Sequence, residues 1–212
     1  MNICPSCGYD PNPVEEQKTE EELRRKRLYD VFMAHAQHGW WLSQAVHICE
    51  ELKKRGISPK SIIDIGCGDG RFWPAVELVF PDASYVGIDR MEEHIAVNNE
   101  RMPMQEWVLG DFRSYQTDNQ FDLALIMGTF NPKMPDNVQE GILRRVKELS
   151  PRHVVCLFDK NQSGNYPDRW IEEAYKLDDT LTLPRELQSS HQDSVVLIYS
   201  LMDARAWRPN TT

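Results

Sequence analysis

The chain has 212 residues, 41% of them hydrophobic, which is enough for one sizeable core and too few for two ordinary domains. Its 33 acidic residues against 24 basic ones give a net charge of −9, which argues against a general electrostatic grip on DNA, RNA or an anionic membrane. The longest apolar runs, "VVLIYSLM" at 195–202 and "LALIM" at 123–127, fall far short of the ~20 residues a membrane-crossing helix needs.

The N-terminus, "MNICPSCGYDPNP", has no basic segment leading into an apolar core, so no secretory signal is visible and a cytoplasmic protein is expected. Within it, Cys4 and Cys7 stand two residues apart, with Pro5 and Gly8 shaping a tight turn that aims both sulfurs at one point. This is half of a tetrahedral zinc site. His35 and His38 would complete it if the first helix folds back, and a second chain in a homodimer would do so with its own pair. A tail with two free thiols fits the spacing equally well, because a half-site does not fold a domain by itself. The total of five cysteines is odd and suits reduced thiols better than a disulfide framework. Residues 1–14 therefore read as a cysteine knuckle and linker.

Residues 15–57 read as an N-terminal helical cap. The stretch "VEEQKTEEELRRKR", acids early and bases late, suits a helix dipole. Leu28, Val31, Phe32 and Ala36 continue at helical spacing until Gly39, which is expected to end the helix. A second helix is expected from Trp40 to Arg55, burying Leu42, Val46, Cys49 and Leu52 and stopping at Gly56.

From 58 to 205 strand alternates with helix. Strands are expected at 61–65, 84–88, 106–109, 122–127 and 153–158, with helices near 70–79, 91–100 and 136–149. Such alternation predicts a parallel sheet with helices on both faces. "PDRWIEEAYKL" at 167–177 reads as a helix, and "TLTLP" and "VVLIYSLM" as two strands that pair antiparallel. The expected fold is thus α/β, a Rossmann-like doubly wound sheet of seven mostly parallel strands with a C-terminal antiparallel hairpin.

The densest chemistry lies in "SIIDIGCGDGRFW", residues 61–73. An apolar strand running into Gly66, Gly68 and Gly70 predicts a sharp turn whose backbone approaches a ligand, followed by a helix whose N-terminus offers unpaired amides. The spacing is not the dinucleotide pattern G-x-G-x-x-G, because the third glycine comes one residue early. Further on, Asp89 ends the second strand in "YVGIDR", and Asp111 follows the third in "VLGDFRSY".

These three linked motifs resemble the class I S-adenosylmethionine-dependent methyltransferases, over roughly residues 60–202. The resemblance implies S-adenosylmethionine as cofactor, with Asp64, Gly66, Gly68 and Gly70 forming the first motif. It implies that Asp89 accepts hydrogen bonds from the ribose hydroxyls and that Met91 packs on the adenine. Asp111 would take the adenine amine with Phe112 beside it, and Met127 would end the strand nearest the transferred methyl. Much of such a transfer comes from alignment and desolvation, with a base needed only when the acceptor must lose a proton.

The acceptor should lie over the C-terminal ends of the strands, near 127–137 and 158–166. Candidates there for a catalytic group are Asp159, Lys160 and Asn131, with His35 and His38 from the cap as rivals. Asn131-Pro132 resembles the start of the N-P-P-[YF] motif of DNA-base amino methyltransferases, but Lys133 follows and no second proline or aromatic does. Trp40-Trp41 could close over the cofactor as a lid. Cys156 and His153 read as structural. The acidic balance favours a small-molecule acceptor over nucleic acid. An RNA or DNA methyltransferase and a non-catalytic cofactor-binding scaffold are the rival readings.

Overall fold

A computed structural model describes residues 39–130, 134–159, 175–184 and 194–201. The cysteine knuckle with Cys4 and Cys7, the first expected helix, His35, His38, Asn131 and Lys160 lie outside these residues. Asp159 lies in a described strand, but its side chain is not among those described.

The first described helix, α1 (Gly39–Lys54), opens at Gly39. The glycine expected to end a helix therefore starts one. Lys53 and Lys54 sit in the last turn, where cations oppose the dipole. The helix closes with paired bonds from Gly56 N–H to Lys53 C=O (3.0 Å) and from Ile57 N–H to Leu52 C=O (3.0 Å). Gly56 has φ +78°, the left-handed conformation that this terminator demands. The buried stripe is Ala45, Ile48, Cys49 and Leu52, with Leu42 and Val46 only partly covered.

The remaining elements are β1 (Ser61–Ile65), α2 (Trp73–Val79), β2 (Ser84–Asp89), α3 (Glu92–Arg101), β3 (Glu106–Leu109), a 3-10 turn (Phe112–Ser114), β4 (Leu123–Met127), α4 (Asp136–Leu149), β5 (His153–Asp159), β6 (Tyr175–Thr182) and β7 (Ser194–Leu201). They form one seven-stranded sheet in the order β3-β2-β1-β4-β5-β7-β6. The first five strands run parallel, and β7 enters antiparallel between β5 and β6. The expected doubly wound sheet with its antiparallel hairpin is the observed architecture.

Alternation along each strand sends side chains to two separate cores. Ile62, Leu123, Leu125 and Val155 pack with α1, α2 and α3 on one face, and Ile63, Ile65, Ala124 and Ile126 pack with α4 on the other. Both faces are covered, which is why β1 and β4 read as unbroken apolar runs. Asp64 is the exception in β1. By parity it faces the α1 side, where Tyr85 of β2 also lies.

Two boundaries differ from expectation by three residues or more. The helix after the glycine loop starts at Trp73, not Gly70, because consecutive turns close first from Gly70 N–H to Cys67 C=O (3.0 Å) and from Trp73 N–H to Gly70 C=O (3.1 Å), after which Pro74 fixes the first helical turn. Residues 175–177, read as the end of a helix, belong to β6. The apolar β7 pairs along that whole segment, with a bulge between Leu177 and Asp179, and buried Tyr175 donates to Pro151 C=O at 2.8 Å.

Candidate functional site

The C-terminal ends of β1, β2 and β4 converge on the glycine loop. The loop is fastened to the neighbouring strand by Gly66 N–H (2.8 Å) and Cys67 N–H (3.1 Å), both donating to Ile88 C=O. Its middle residue is held from two sides. Gly68 N–H donates to Asp89 Oδ2 at 2.9 Å, and Asn98 Nδ2, from α3, donates to Gly68 C=O at 2.8 Å.

The glycines are small for different reasons. A Cβ on Gly66 would lie 2.5 Å from Thr129 Oγ1, and one on Gly70 would lie 2.6 Å from Met102 Cε and 2.9 Å from the Trp107 ring. The protein's own side chains fill those spaces. Only at Gly68 would a Cβ meet nothing nearer than His94 Nδ1 at 3.8 Å. Of the three glycines, Gly68 thus has open space where a side chain would stand, whereas Gly66 and Gly70 make room for the protein's own side chains.

Two cavities meet at this loop, sharing Gly66, Gly68, His94 and Gly128. The larger, about 320 Å³, is lined by Asp89, Met91, Asp111, Phe112, Val138 and Ile142 among others. The smaller, about 210 Å³, is lined by Trp41, Asp64, Asp69, Arg71, Phe72 and Met127 among others. The sequence-derived cofactor residues thus fall along one continuous cleft, apart from Gly70, which turns into the packing.

Asp89 is half-buried at the junction, and each of its oxygens takes one backbone N–H, from Gly68 (2.9 Å) and from Met91 (2.8 Å). A carboxylate has about four acceptor positions, so both oxygens can still receive hydroxyl groups. Met91 stands half-exposed at the rim, with its apolar side chain uncovered. Asp111 is already engaged: Arg113 N–H and Nε donate to Oδ1 at 2.9 and 3.0 Å, and Nη2 to Oδ2 at 2.5 Å. Those bonds from Arg113 pull the Asp111 pKa down to about 2. An amine arriving there shares the carboxylate with Arg113.

Asp64 is a different kind of acid. It is 2% exposed, Tyr85 O–H donates to its Oδ2, and Oδ1 has no partner among the described residues. Burial raises its pKa to about 7, against the opposing pull of the Tyr85 bond. An acid with an orphaned oxygen at the wall of the smaller cavity is suited to a cationic ligand. A nucleoside carrying a positively charged tail fits this donor set, with hydroxyls at Asp89, a flat apolar face by Met91 and positive charge near Asp64.

Residues 62–150 match the family model described as a methyltransferase domain. That match runs from β1 to the end of α4, the elements that build the cleft. Among curated relatives of this domain, trans-aconitate 2-methyltransferase from Escherichia coli O139:H28 is 27% identical over 118 residues, covering 56% of this chain and 43% of that protein. The chain spans less than half the length of that relative. Among solved structures, the TehB-like SAM-dependent methyltransferase from Corynebacterium glutamicum superposes with TM-score 0.60 at 16% identity, covering 84% of this chain and 98% of that one. The N-methyltransferase NodS from Bradyrhizobium japonicum, in complex with S-adenosyl-L-homocysteine, gives TM-score 0.61 at 18% identity over 74% of this chain and 86% of that one. At these identities the likeness concerns the fold.

Three residues of the cleft and one behind it belong to none of the sequence motifs. Arg71, His94 and Thr129 touch the cavities, and Asn98 positions the loop from behind. A signal existed for Asn98, an amide on the apolar stripe Ile95, Asn98, Met102. Among the described residues no group of three or more His, Cys, Asp or Glu could hold a metal, and no helix is long and apolar enough to cross a membrane.

Proposed function

We propose that the protein is an S-adenosylmethionine-dependent methyltransferase acting on a small-molecule acceptor. The observation that carries this reading is the junction at Gly68. There a cavity bearing a carboxylate with spare acceptor positions, Asp89, opens into one bearing an orphaned buried acid, Asp64.

When bound, the cofactor supplies a methyl group activated by an adjacent sulfonium. The chain's part is to place and dry it. Asp89 receives the ribose hydroxyls while fastening the loop, Met91 and Phe112 flank the base, and Asp111 shares its carboxylate with the base amine. Asp64, uncharged for much of its time near neutrality, becomes the better anion when positive charge enters beside it. Met127 and Trp41 line the smaller cavity and exclude water from the transfer. In-line attack needs alignment above all, so no described side chain has to serve as base unless the acceptor carries a proton to lose.

A small-molecule acceptor is supported by the modest cavity volumes and by the relatives named for trans-aconitate. The test is calorimetric titration with S-adenosylmethionine and S-adenosylhomocysteine, on wild type and Asp89→Ala, followed by a methyl-transfer assay with trans-aconitate as the first acceptor. Asp89→Ala should weaken both nucleosides tenfold or more, about 1.4 kcal/mol. Absence of nucleoside binding by wild type refutes the reading. Salt-dependent binding of tRNA or duplex DNA with turnover would replace the small molecule by a nucleic acid.

A further inference from the structure

We propose that Arg113 and Gly141 are positioning residues for the cofactor's base: together they lock the Asp111 carboxylate so that it accepts an amine and rejects a carbonyl oxygen. The inference rests on the proposed function, since it assigns a selectivity to the same cleft.

Gly141 stands inside α4, between Val138 and Ile142, which line the larger cavity. A glycine in a helix interior costs about 1 kcal/mol relative to alanine, so its presence calls for a reason. Backbone conformation supplies none, because Gly141 is not one of the glycines with positive φ. Space does. A Cβ there would lie 2.8 Å from Arg113 Cδ and 3.3 Å from Arg113 Cγ, so the aliphatic part of the arginine occupies the place of a Gly141 side chain. Four residues further along the same side of α4, Arg145 Nε donates to Tyr115 C=O at 2.9 Å. Asp111 and Tyr115 are the two caps of the 3-10 turn. The helix thus holds that turn at two places, through the Arg113 stem and through the Tyr115 carbonyl.

Asp111 belongs to the wall of the larger cavity, and Arg113 stands behind it. The Arg113 backbone N–H donates to Oδ1 (2.9 Å), Nη2 donates to Oδ2 (2.5 Å), and Nε is shared between the two oxygens (3.0 and 3.1 Å). A carboxylate has about four acceptor positions, so about one is left for a ligand. Its direction is fixed, because turning the carboxylate would break bonds at both oxygens. An exocyclic N–H finds a partner there. A carbonyl oxygen meets only lone pairs, and the guanidinium, engaged with Asp111 and seated on α4, cannot swing across to donate to it.

The test is the ratio of affinities for S-adenosylhomocysteine and S-inosylhomocysteine, which carry an amine and a carbonyl oxygen at the same purine carbon. Both are titrated calorimetrically into wild type, Arg113→Ala and Gly141→Ala, with far-UV circular dichroism confirming that each variant is folded. Wild type should prefer the adenine compound by about a hundredfold or more. Arg113→Ala frees the carboxylate, and Gly141→Ala displaces the arginine while leaving every polar group in the chain. Each should reduce the preference about tenfold. A purely structural role would weaken both nucleosides in parallel, so a ratio unchanged from wild type in either variant overturns the proposal. Equal affinity of wild type for the two compounds does so as well. A wild type that binds neither compound refutes the proposed function and takes this inference with it, an outcome readily told apart from an unchanged ratio.

Discussion

Asp89 and Asn98 grip the two polar ends of one residue: the Asp89 carboxylate accepts a hydrogen bond from the N–H of Gly68, and the Asn98 amide donates one to its C=O, at 2.9 and 2.8 Å. One partner ends a strand and the other sits in the middle of α3. The loop at the heart of the cleft is thus set by two elements that approach it independently, and only Asp89 also faces the larger cavity.

Asn98 is fully buried, so removing its amide strands the Gly68 carbonyl. Asn98→Ala should cost about 1–3 kcal/mol of stability. It should also weaken S-adenosylhomocysteine without touching it. Asn98→Asp, which sets a carboxylate against the same carbonyl, should be worse on both counts. Thermal denaturation and calorimetry on the two variants check this, and a cofactor affinity equal to wild type in both would show that the loop holds its shape without the amide.

Glycine replacements should divide cleanly. Gly66→Ala meets Thr129 within 2.5 Å at a residue with φ +74°, so its damage should appear as a lowered melting temperature. Gly68→Ala meets only open cleft and at φ +54° suffers left-handed strain of about 1–2 kcal/mol. Its larger effect should be on ligand affinity. Melting temperatures and dissociation constants measured side by side decide the matter, and a pair of variants equally impaired in both would contradict it.

The buried Asp64 makes a statement about pH. Its folded pKa of about 7 stands above the ordinary 3.8, so between these values the native protein keeps a proton that the unfolded chain has released. Its contribution to stability is therefore full below about pH 4 and is lost as pH rises through 7, by at most ~1.4 kcal/mol per pH unit. Asp64→Asn cannot ionise, and its stability relative to wild type should climb over that window. Denaturant melts of both proteins at pH 5 and pH 8 test the sign, and a difference independent of pH would mean that Asp64 is ionised throughout.

Asp111 caps the 3-10 turn through Arg113 N–H and should contribute about 1 kcal/mol there. Asp111→Asn preserves an oxygen for that cap but gives up the carboxylate that Arg113 grips. A loss of S-adenosylhomocysteine affinity with little change in melting temperature is expected. If affinity holds and only stability falls, the carboxylate serves the turn alone.

Much of this was legible in the chain because period and punctuation are local. α4 was read at 136–149 and found at Asp136–Leu149, since its apolar stripe and the break at Ser150–Pro151 are written in neighbouring residues. β1 and β3 were likewise located to the residue. The role of Gly70 was not legible, because the Trp107 ring that fills its space comes from a strand two places across the sheet. Arg71 was passed over for the same reason. Nothing near it in sequence tells that Trp41 will slide beneath its guanidinium, and that meeting depends on how α1 packs against the sheet.

The insertion of β7 between β5 and β6 reverses synthesis order at the end of the sheet. On a ribosome, β6 emerges with no strand to join, and the apolar border of β5 stays uncovered until Ser194–Leu201 arrives to zip both at once. A nascent chain stalled before Ser194 would expose two unpaired strand borders, the surface that chaperones and aggregating neighbours recognise. The last of the described strands is therefore the latch of the sheet.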